Sequence, residues 1–385
     1  MTLRIAVVTV ARSDYGILYP ILKALRVDDA MDLQLIVAAA HLDPKFGNTV
    51  EEIERDGFAI ASRVPIKMAG DSRLDVARAI GAGIEGFAAE LQQIKPDLLL
   101  LLGDRYETFA AAIAALPLRI PIAHLHGGEL TYGAIDDAMR HAITKLSHIH
   151  FAASDRYAQR IRQMGEEPWR IHNTGSPAID SIMMVETIEK AKLDAEFGLD
   201  LSRTLLITYH PVTLDGHSSE QVSNLLAAVE ASDCSLLFTY PNADSDNDRV
   251  IELVKEFVRT HDNARLLQNL GHRRYHNVQK YAAAMVGNSS SGIIEAASFR
   301  LPVVNVGSRQ AGRIRASNVI DVDGSREEIA RGIQKALSPE FREKLRNLRN
   351  PYGDGSAAAK ILAVLKNVKL GPDLLMKKFV DQLVG

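Results

Sequence analysis

The chain has 385 residues, of which 46% are hydrophobic and 24% are charged. This composition is ordinary for a globular protein and excludes a disordered chain, a collagen and a coiled coil. The 45 Lys and Arg residues nearly balance the 48 Asp and Glu residues, which gives a formal net charge of −3. We therefore expect neither nucleic acid nor a membrane as a partner, and any bound anion must be held by a local pocket.

Three features predict a cytoplasmic location. The longest apolar run, Leu98–Leu102, is far shorter than the ~20 residues of a membrane-spanning helix. The first residues run straight into a strand pattern and show no signal-peptide cleavage region. The single cysteine, Cys234, cannot form a disulfide within the chain, which suits a reducing compartment.

Strand-length apolar runs alternate with helical stretches in the first half of the chain. This order predicts an α/β fold with a parallel sheet covered on both faces. The runs are Ile5–Val10, Leu33–Ala39, Leu98–Leu102, Ile120–Leu125 and Ile149–Ala153, and the helical stretches include Ile17–Arg26, Asp75–Ile94 and Arg105–Leu116.

The same alternation restarts in the second half, after a predicted linker near Met184–Asp200. A length of 385 residues suits roughly two to three domains, and two tandem open-sheet units would leave a cleft between them. The last stretch, Lys360–Val384, is predicted to be a helix interrupted near Gly371–Pro372. The second set of strands comprises Leu205–Tyr209, Leu236–Tyr240, Ala264–Asn269, Ala284–Gly287, Val303–Val306 and Val319–Val322.

Ligands of such sheets lie beyond the carboxyl ends of the strands, so the residues that follow each strand are functional candidates. Arg12, Ser13 and Asp14 follow the first strand and open a helix, where they can bind a phosphate; alternatively Ser13 or Asp14 caps that helix. Asp104 follows the five leucines and can face a cleft, or it can cap the next helix.

The fourth run ends in His124-Leu125-His126-Gly127-Gly128-Glu129, a dense group of acid–base side chains. Strand alternation predicts that His124 and His126 lie on the same side. Proton transfer needs an acid and a base, and this segment with Asp136 and Asp137 supplies candidates for both. A zinc site is an alternative, although no further ligands follow at customary spacings, and Asp136 can also act as a helix cap.

In the second half, His210 ends a strand, and Asn242 lies in a polar turn after the next one. The segment Gly287-Asn288-Ser289-Ser290-Ser291-Gly292 joins a strand to a helix. Its hydroxyl and backbone N–H groups can bind a phosphate without a positive side chain, or Ser289 can serve only as a helix cap. Glu295 can accept ribose hydroxyls, and Arg309 can neutralise a phosphate.

Taken in order, these segments resemble the hydrolysing UDP-N-acetylglucosamine 2-epimerases of sialic acid synthesis, within the sugar-nucleotide 2-epimerase superfamily. The resemblance covers about residues 5 to 320, and the ordered set is far more specific than any one motif. The matching segments are Arg12–Gly16, Gly103–Glu107, His124–Glu129, Asp136–Asp137 with Arg140–Lys145, His210–Pro211, Gly287–Gly292 and Arg309–Gln310.

The resemblance implies a GT-B fold, with two Rossmann-like doubly wound domains facing across a cleft. The N-terminal domain would span residues 1–185 and the nucleotide-binding domain residues 186–360, with a helical segment over 361–385 that crosses back to the first domain. It also implies elimination of UDP to a 2-acetamidoglucal, followed by hydration to N-acetylmannosamine. No cofactor and no metal are implied, and the implied assembly is a homodimer or homotetramer.

The resemblance also carries over site roles, residue by residue. His126 stands where the family often has a glutamate, so either His126 or Glu129 takes that glutamate's role. The implied catalytic residues are Asp104, His126, Glu129, Asp136, Asp137 and His210. The implied substrate-binding and UDP-binding residues are Arg12, Asp14, Arg105, Asn242, Ser289, Ser290, Ser291, Glu295 and Arg309.

Three other functions remain open from the sequence. The same chemistry can act on UDP-2,4-diacetamido-2,4,6-trideoxyglucose, the sugar nucleotide of legionaminic acid synthesis. A GT-B glycosyltransferase would use the same nucleotide site, but it would not need the acid–base cluster between residues 124 and 137. A non-catalytic sensor of nucleotide sugars would bind UDP-sugars without turnover.

Overall fold

The computed structural model describes residues 2–68, 70, 72–132, 134–210, 218–240, 247–268 and 270–381. These residues form two compact units. Unit 1 comprises Met1–Glu129, Asp136–Met183 and Tyr352–Gly385, and unit 2 comprises Leu130–Ile135 and Met184–Pro351. Within the described ranges, no helix combines the length and the apolar composition needed to cross a membrane.

Both units alternate strands and helices along the chain. The strands are β1 Leu3–Thr9, β2 Met31–Ala38, β3 Ile60–Val64, β4 Leu98–Leu102, β5 Ile122–Leu125, β6 Ile149–Ala152, β7 Ile171–Asn173, β8 Thr204–Thr208, β9 Ser235–Thr239, β10 Ala264–Leu267, β11 Ala284–Gly287, β12 Val303–Val306 and β13 Val319–Val322. The helices are α1 Arg12–Arg26, α2 Val50–Arg55, α3 Arg73–Ile94, α4 Tyr106–Ala115, α5 Ile135–Leu146, α6 Asp155–Gln163, α7 Pro177–Met184, α8 Lys190–Phe197, α9 Ser218–Glu230, α10 Asn247–Thr260, α11 Gly271–Tyr281, α12 Ser290–Ile294, α13 Arg326–Leu337, α14 Pro339–Lys344, α15 Ala357–Lys366 and α16 Pro372–Leu375.

Unit 1 is built on a seven-stranded parallel sheet with the order β3-β2-β1-β4-β5-β6-β7. The five leucines of β4 are buried on both faces, because successive side chains of a strand point to opposite sides. Leu98, Leu100 and Leu102 pack in a core that includes side chains of α1 and α15. Leu99 and Leu101 pack against α3 and the alanine-rich α4 on the other face.

Unit 2 is built on a six-stranded parallel sheet with the order β10-β9-β8-β11-β12-β13. Its two faces also carry separate cores. Leu205 and Ile207 of β8 pack with α9, whereas Leu206 packs with α8 and α11. Helices on both faces of each sheet explain why these strands are almost continuously apolar.

All six strands predicted for the second half are present, with ends that differ by up to two residues. In the first half two strands were missed, both at sheet edges. β3 alternates buried and exposed residues and β7 has only three residues, so neither carries a long apolar run. The predicted linker contains a packed helix, α8, whose Leu193 and Phe197 are buried in the core of unit 2.

The C-terminal segment begins as helix α15 and packs on α1. Asp180 fixes its start, because the carboxylate accepts from the N–H groups of Ala357 and Ala358 at 3.0 and 2.9 Å. The predicted interruption near Gly371–Pro372 is confirmed, since α15 ends at Lys366 and α16 begins at Pro372. The predicted helix is wrong over residues 376–381, which form neither helix nor strand. Arg170 and the backbone of Gly165 hold this segment on unit 1: Arg170 donates to the carbonyl of Leu374 at 2.8 Å.

Candidate active site

Three of the predicted site residues, Arg12, Asp104 and His210, follow the strands at which the order of each sheet reverses. In unit 1 the reversal lies between β1 and β4, which are followed by Arg12 and Asp104 respectively. In unit 2 it lies between β8 and β11, which are followed by His210 and Asn288. Such reversals open a crevice at the carboxyl ends of the strands, so the topology of each unit places these residues where ligands bind in open α/β sheets.

In unit 1, the buried guanidinium of Arg140 joins two of the predicted carboxylates. It donates to Asp104 Oδ2 through one nitrogen and to Glu129 Oε2 at 3.2 Å through another. The Arg140 and Glu129 side chains are 2% and 1% exposed, whereas that of Asp104 is 20% exposed. Burial alone would lower the pKa of Arg140, but the charges of Asp104 and Glu129 outweigh burial and raise it.

His126 joins the same network. Its Nδ1 lies 2.8 Å from Glu129 Oε1, and its Nε2 lies 3.0 Å from the hydroxyl of Ser176. The imidazole is buried, with 5% of the residue exposed. A continuous chain of polar contacts therefore runs from Ser176 through His126, Glu129 and Arg140 to Asp104.

The prediction that His124 and His126 share one side does not hold. β5 ends at Leu125, and His126 has a φ of +63°, so the strand alternation stops before it. His124 stays in the strand and donates from Nε2 to the carbonyl of Gly103 at 2.7 Å. Burial lowers the pKa of His124 to about 3, which leaves it neutral near pH 7.

Asp14 and Arg105 lie in the same unit as this network. Although Asp14 retains some solvent exposure, burial raises the pKa of its carboxyl to about 7, and the nearby carboxylates of Glu107 and Asp104 add to the rise. Arg105 opposes this rise, but its guanidinium also forms two 3.2 Å hydrogen bonds with Glu107. Asp14 therefore changes its protonation near pH 7.

The helix-cap alternatives for these residues are wrong. The N-cap of α1 is Ala11, without a side-chain bond, so neither Ser13 nor Asp14 caps that helix. The N-cap of α4 is Arg105, not Asp104. Arg12 is the first residue of α1 and is half-buried.

The two aspartates of α5 lie in its first turn. The carboxylate of Asp136 acts electrostatically on Arg140, whereas Asp137 Oδ2 lies 3.6 Å from Nε2 of His141 on the next turn. Among the residues that the structure describes, no three His, Cys, Asp or Glu side chains are arranged to hold a metal ion.

In unit 2, Asn288 ties the two central strand ends together. Its amide accepts from the His210 N–H at 2.7 Å and donates to the His210 carbonyl at 2.8 Å. The preceding Gly287 has a φ of +134°, and a Cβ there would lie 2.0 Å from the carbonyl oxygen of Thr208. Only glycine allows this approach of β11 to β8.

The serine segment forms a neutral, hydroxyl-lined turn. Ser289 is the N-cap of α12 and accepts from the Ser291 N–H at 3.4 Å. The hydroxyl of Ser291 lies 2.5 Å from that of Tyr275. Ser290 is the first residue of α12, which has only five residues. The helix-cap alternative for Ser289 is therefore correct. The contact between the hydroxyls of Ser291 and Tyr275 is separate from this cap.

Two of the charged residues predicted for UDP binding, Arg309 and Glu295, lie near this turn. Arg309 donates to the carbonyl of Asn288 at 3.3 Å, alongside a 2.8 Å hydrogen bond from Gln310. Glu295 follows the last residue of α12, and its Oε2 lies 3.4 Å from Nε2 of His276. Asn242 lies outside the described residues.

Sequence reasoning missed the groups that connect the predicted residues. Arg140 lies four residues after Asp136, a spacing that is also typical of a surface ion pair on a helix. Ser176 lies fifty residues from His126 along the chain, so no local pattern links the two. The amide of Asn288 was quoted only as part of a phosphate loop, although its side chain bonds both backbone groups of His210.

The chain is similar to known proteins over most of its length. A family model described as UDP-N-acetylglucosamine 2-epimerase matches residues 23–366. The chain is 39% identical over 380 residues to the UDP-N,N'-diacetylbacillosamine 2-epimerase (hydrolyzing) of Legionella pneumophila, a match that covers 98% of this chain and 99% of that protein. It is 37% identical over 383 residues to the GDP/UDP-N,N'-diacetylbacillosamine 2-epimerase (hydrolyzing) of Campylobacter jejuni, covering 98% and 99%.

The structure is similar to that of the UDP-GlcNAc 2-epimerase from Neisseria meningitidis bound to UDP-GlcNAc. The TM-score is 0.82, at 22% identity, and the match covers 95% of this chain and 100% of the other. This likeness shows the fold and, with the two parallel sheets, confirms the predicted α/β fold of the GT-B type. By the family model and the two full-length relatives, the chain belongs to the UDP-N-acetylglucosamine 2-epimerase family.

Proposed function

We propose that this enzyme is a hydrolysing 2-epimerase of UDP-2,4-diacetamido-2,4,6-trideoxyglucose, which is UDP-N,N'-diacetylbacillosamine. Its products would be UDP and 2,4-diacetamido-2,4,6-trideoxymannose. The observation that carries this choice is the identity of 39% and 37%, over nearly the whole chain, to two hydrolysing 2-epimerases named for that sugar. UDP-N-acetylglucosamine, which the sequence motifs place first, is the alternative substrate.

The proposed reaction has two halves. In the first, a base removes the proton at C2 while the bond from C1 to UDP breaks, which leaves a 2-acetamidoglycal. In the second, water adds its hydroxyl to C1, and a proton returns to C2 on the opposite face of the ring. Both halves need groups that exchange protons, and the first also needs stabilisation of the departing pyrophosphate.

The network of unit 1 supplies candidates for the proton transfers. We assign acid–base roles to Asp104 and His126. Asp104 is the more exposed of the two carboxylates in the network, and the imidazole of His126 is connected to it by way of Glu129 and Arg140. Glu129 then takes a supporting role, since it is almost fully buried between Arg140 and His126. Asp14, with a pKa of about 7, is a further proton donor in the same unit.

The turn of unit 2 supplies candidates for binding UDP. We assign the pyrophosphate to Ser289, Ser290 and Ser291 together with Arg309, because hydroxyl and backbone N–H groups bind anions without a net positive field. His210 belongs to this turn through its two hydrogen bonds with Asn288. Glu295 remains the candidate for the ribose hydroxyls.

A direct substrate comparison tests this proposal. The purified enzyme is incubated with each UDP-sugar in D2O, UDP release is followed, and the released sugar is examined by NMR. We expect kcat/KM for the diacetamido sugar to exceed that for UDP-N-acetylglucosamine by about 10-fold or more, with one deuterium at C2 of the product. A preference for UDP-N-acetylglucosamine would overturn the substrate assignment, and release without deuterium at C2 would overturn the mechanism.

Asp104→Asn tests the acid–base assignment. We expect kcat for UDP release to fall by about 100-fold or more while UDP still binds, because the amide cannot exchange the proton. Asp262→Asn, which neutralises an exposed aspartate of unit 2, is the matched control and should leave kcat unchanged. An Asp104→Asn variant with wild-type kcat would remove Asp104 from the chemistry.

A further inference from the structure

Ser176 contacts the one ring nitrogen of His126 that does not face Glu129. The Ser176 hydroxyl lies 3.0 Å from His126 Nε2, and Ser176 is fully buried. Its place is fixed from two further directions: its N–H donates to the carbonyl of Tyr352 at 2.7 Å, and its Oγ accepts from the N–H of Ala178 at 3.3 Å. The loop that carries Ser176 is therefore held by both α7 and the returning C-terminal segment.

The opposite side of the imidazole decides which nitrogen carries a proton. His126 Nδ1 lies 2.8 Å from Glu129 Oε1. A hydrogen on Nδ1 avoids placing a nitrogen lone pair beside the carboxylate, so we infer that the neutral ring carries its hydrogen on Nδ1. Nε2, the atom beside Ser176, is then bare in the neutral ring and carries a hydrogen only in the imidazolium form.

A hydroxyl can form a hydrogen bond with Nε2 whether or not that nitrogen carries a hydrogen. When Nε2 is bare, the Ser176 hydroxyl donates to it; when Nε2 is protonated, the same oxygen accepts from it. In both states a second lone pair of Oγ remains for the Ala178 N–H. An alanine would offer neither contact, and a carboxylate or an ammonium would favour only one state.

We propose that Ser176 is a positioning residue that holds the His126 ring and its Nε2 in both protonation states. The inference rests on the proposed function, in which His126 has an acid–base role. The backbone of His126 supports it: with a φ of +63°, the ring leaves the line of β5 and turns toward Ser176 and Glu129. Ser176 acts through His126 and is not itself the acid or the base.

Spectroscopy of the free enzyme tests the contact without turnover. In protein labelled with 15N in the imidazole rings, His126 is assigned by comparison with His126→Gln. We expect the wild-type ring to carry its hydrogen on Nδ1 and to show a hydrogen-bonded Nε2. Ser176→Ala should move the Nε2 resonance toward that of a bare nitrogen and leave Nδ1 almost unchanged, whereas Ser176→Thr should keep the wild-type Nε2 position.

Kinetics then test the positioning role. Ser176→Ala should lower kcat for the diacetamido UDP-sugar by about 10-fold with KM nearly unchanged, and Ser176→Thr should restore most of it. Ser176→Gly is a second variant without a hydroxyl. Ser176 directly precedes α7, and glycine is tolerated at such helix N-cap positions, so this variant should fold and match Ser176→Ala. Ser338→Ala removes the serine cap of α14 in unit 2 and should leave kcat at the wild-type value.

The outcomes separate this inference from the proposed function. An unchanged Nε2 resonance in Ser176→Ala, or an unchanged kcat in both variants without a hydroxyl, would overturn the role of Ser176. If the wild-type enzyme releases UDP from neither sugar, the proposed function fails, and the resonance of Nε2 alone decides whether Ser176 holds His126.

Discussion

The two strand-order reversals of this molecule are built from different chemistry. In unit 1, ionised groups meet in a buried network, in which Arg140 stands between Asp104 and Glu129. In unit 2, neutral groups meet: the amide of Asn288 bonds the backbone of His210, and serine and tyrosine hydroxyls bond one another. The same sheet topology thus supports one charged site and one site that is largely uncharged.

This difference shows how a chain of net charge −3 can serve a substrate with a pyrophosphate. Proton transfer needs groups whose charge changes, and burial in unit 1 makes their charges strongly interdependent. Anion binding needs fixed donors, which backbone N–H groups, hydroxyls and one arginine can provide. Substitution of a charged side chain in the unit 1 network should therefore change stability and proton equilibria, whereas loss of a donor side chain at the turn of unit 2 should change UDP affinity.

The largest effect should come from Arg140→Met. It would leave the nearly fully buried Glu129 and the neighbouring Asp104 without their shared positive partner, so we expect the free energy of unfolding to fall by about 3–5 kcal/mol. Urea unfolding measures this loss. Arg331→Met breaks an exposed pair with Glu328 and should cost less than about 1 kcal/mol; equal losses would contradict the charged description of unit 1.

Gly287→Ala tests the neutral site through its backbone. A Cβ at Gly287 would lie 2.0 Å from the carbonyl oxygen of Thr208, so β11 would have to move and carry Asn288 with it. We expect a loss of about 3 kcal/mol in unfolding free energy together with weaker UDP binding. Gly371→Ala has a similar φ of +144° but no atom within 4 Å, and it should cost about 1 kcal/mol. Equal costs would show that strain at φ, not the close approach, dominates.

Asp14→Asn should change how stability depends on pH. The carboxyl has a pKa of about 7 in the folded protein, above the value of ~3.9 for an unperturbed aspartate, so folding favours its protonated form. Its contribution to stability is therefore present below about pH 4 and is lost as the pH rises to about 7.

The unfolding free energy of Asp14→Asn minus that of wild type should therefore be larger at pH 8 than at pH 4, by on the order of 2 kcal/mol. This figure allows for the partial exposure of Asp14. Urea unfolding at a series of pH values measures this difference. The exposed Asp262→Asn is the control for the change of charge. A difference between Asp14→Asn and wild type that does not vary with pH would contradict the raised pKa of Asp14.

The smallest effect should come from Arg309→Ala. We expect Kd for UDP to rise by about 10-fold, because one charge-assisted contact is lost, while stability hardly changes since Gln310 still donates to the Asn288 carbonyl. Calorimetric titration with UDP measures this. Arg346→Ala makes the same charge change at an exposed site of unit 2 and should leave Kd unaltered. An unaltered Kd in both variants would remove Arg309 from the binding site.

The sequence predicted the sheets well because buried parallel strands leave a strong local signal. The run Leu98–Leu102 is apolar at every position since both faces of β4 are covered. Asp104, two residues after the run, was found from its place beyond the end of this strand. The edge strands β3 and β7 escaped because a half-exposed or three-residue strand has no such signal. The predicted C-terminal helix was too long because Arg170, which is distant in the sequence, donates hydrogen bonds to the carbonyls of Asp373 and Leu374.

The site was predicted as a list of side chains but not as a network. Motif order places Asp104, His126 and Glu129 in one region, yet it gives no reason to pair His126 with Ser176, which arrives from a different strand end. The left-handed backbone of His126 also had no local signal, since the two glycines after it already account for a turn. Contacts that depend on topology need the fold before they can be recognised.

The chain leaves unit 1 at Met183 and returns to it only at Tyr352, whose carbonyl holds the Ser176 loop. During synthesis, the ribosome must therefore make all of unit 2 before the last part of unit 1 emerges. At about 5–20 residues per second, this is a wait of roughly 10–30 s. Throughout that interval the core of unit 1 lacks α15, and the Ser176 loop lacks its backbone partner. The apolar surface that α15 covers in the folded protein is then exposed, which favours aggregation.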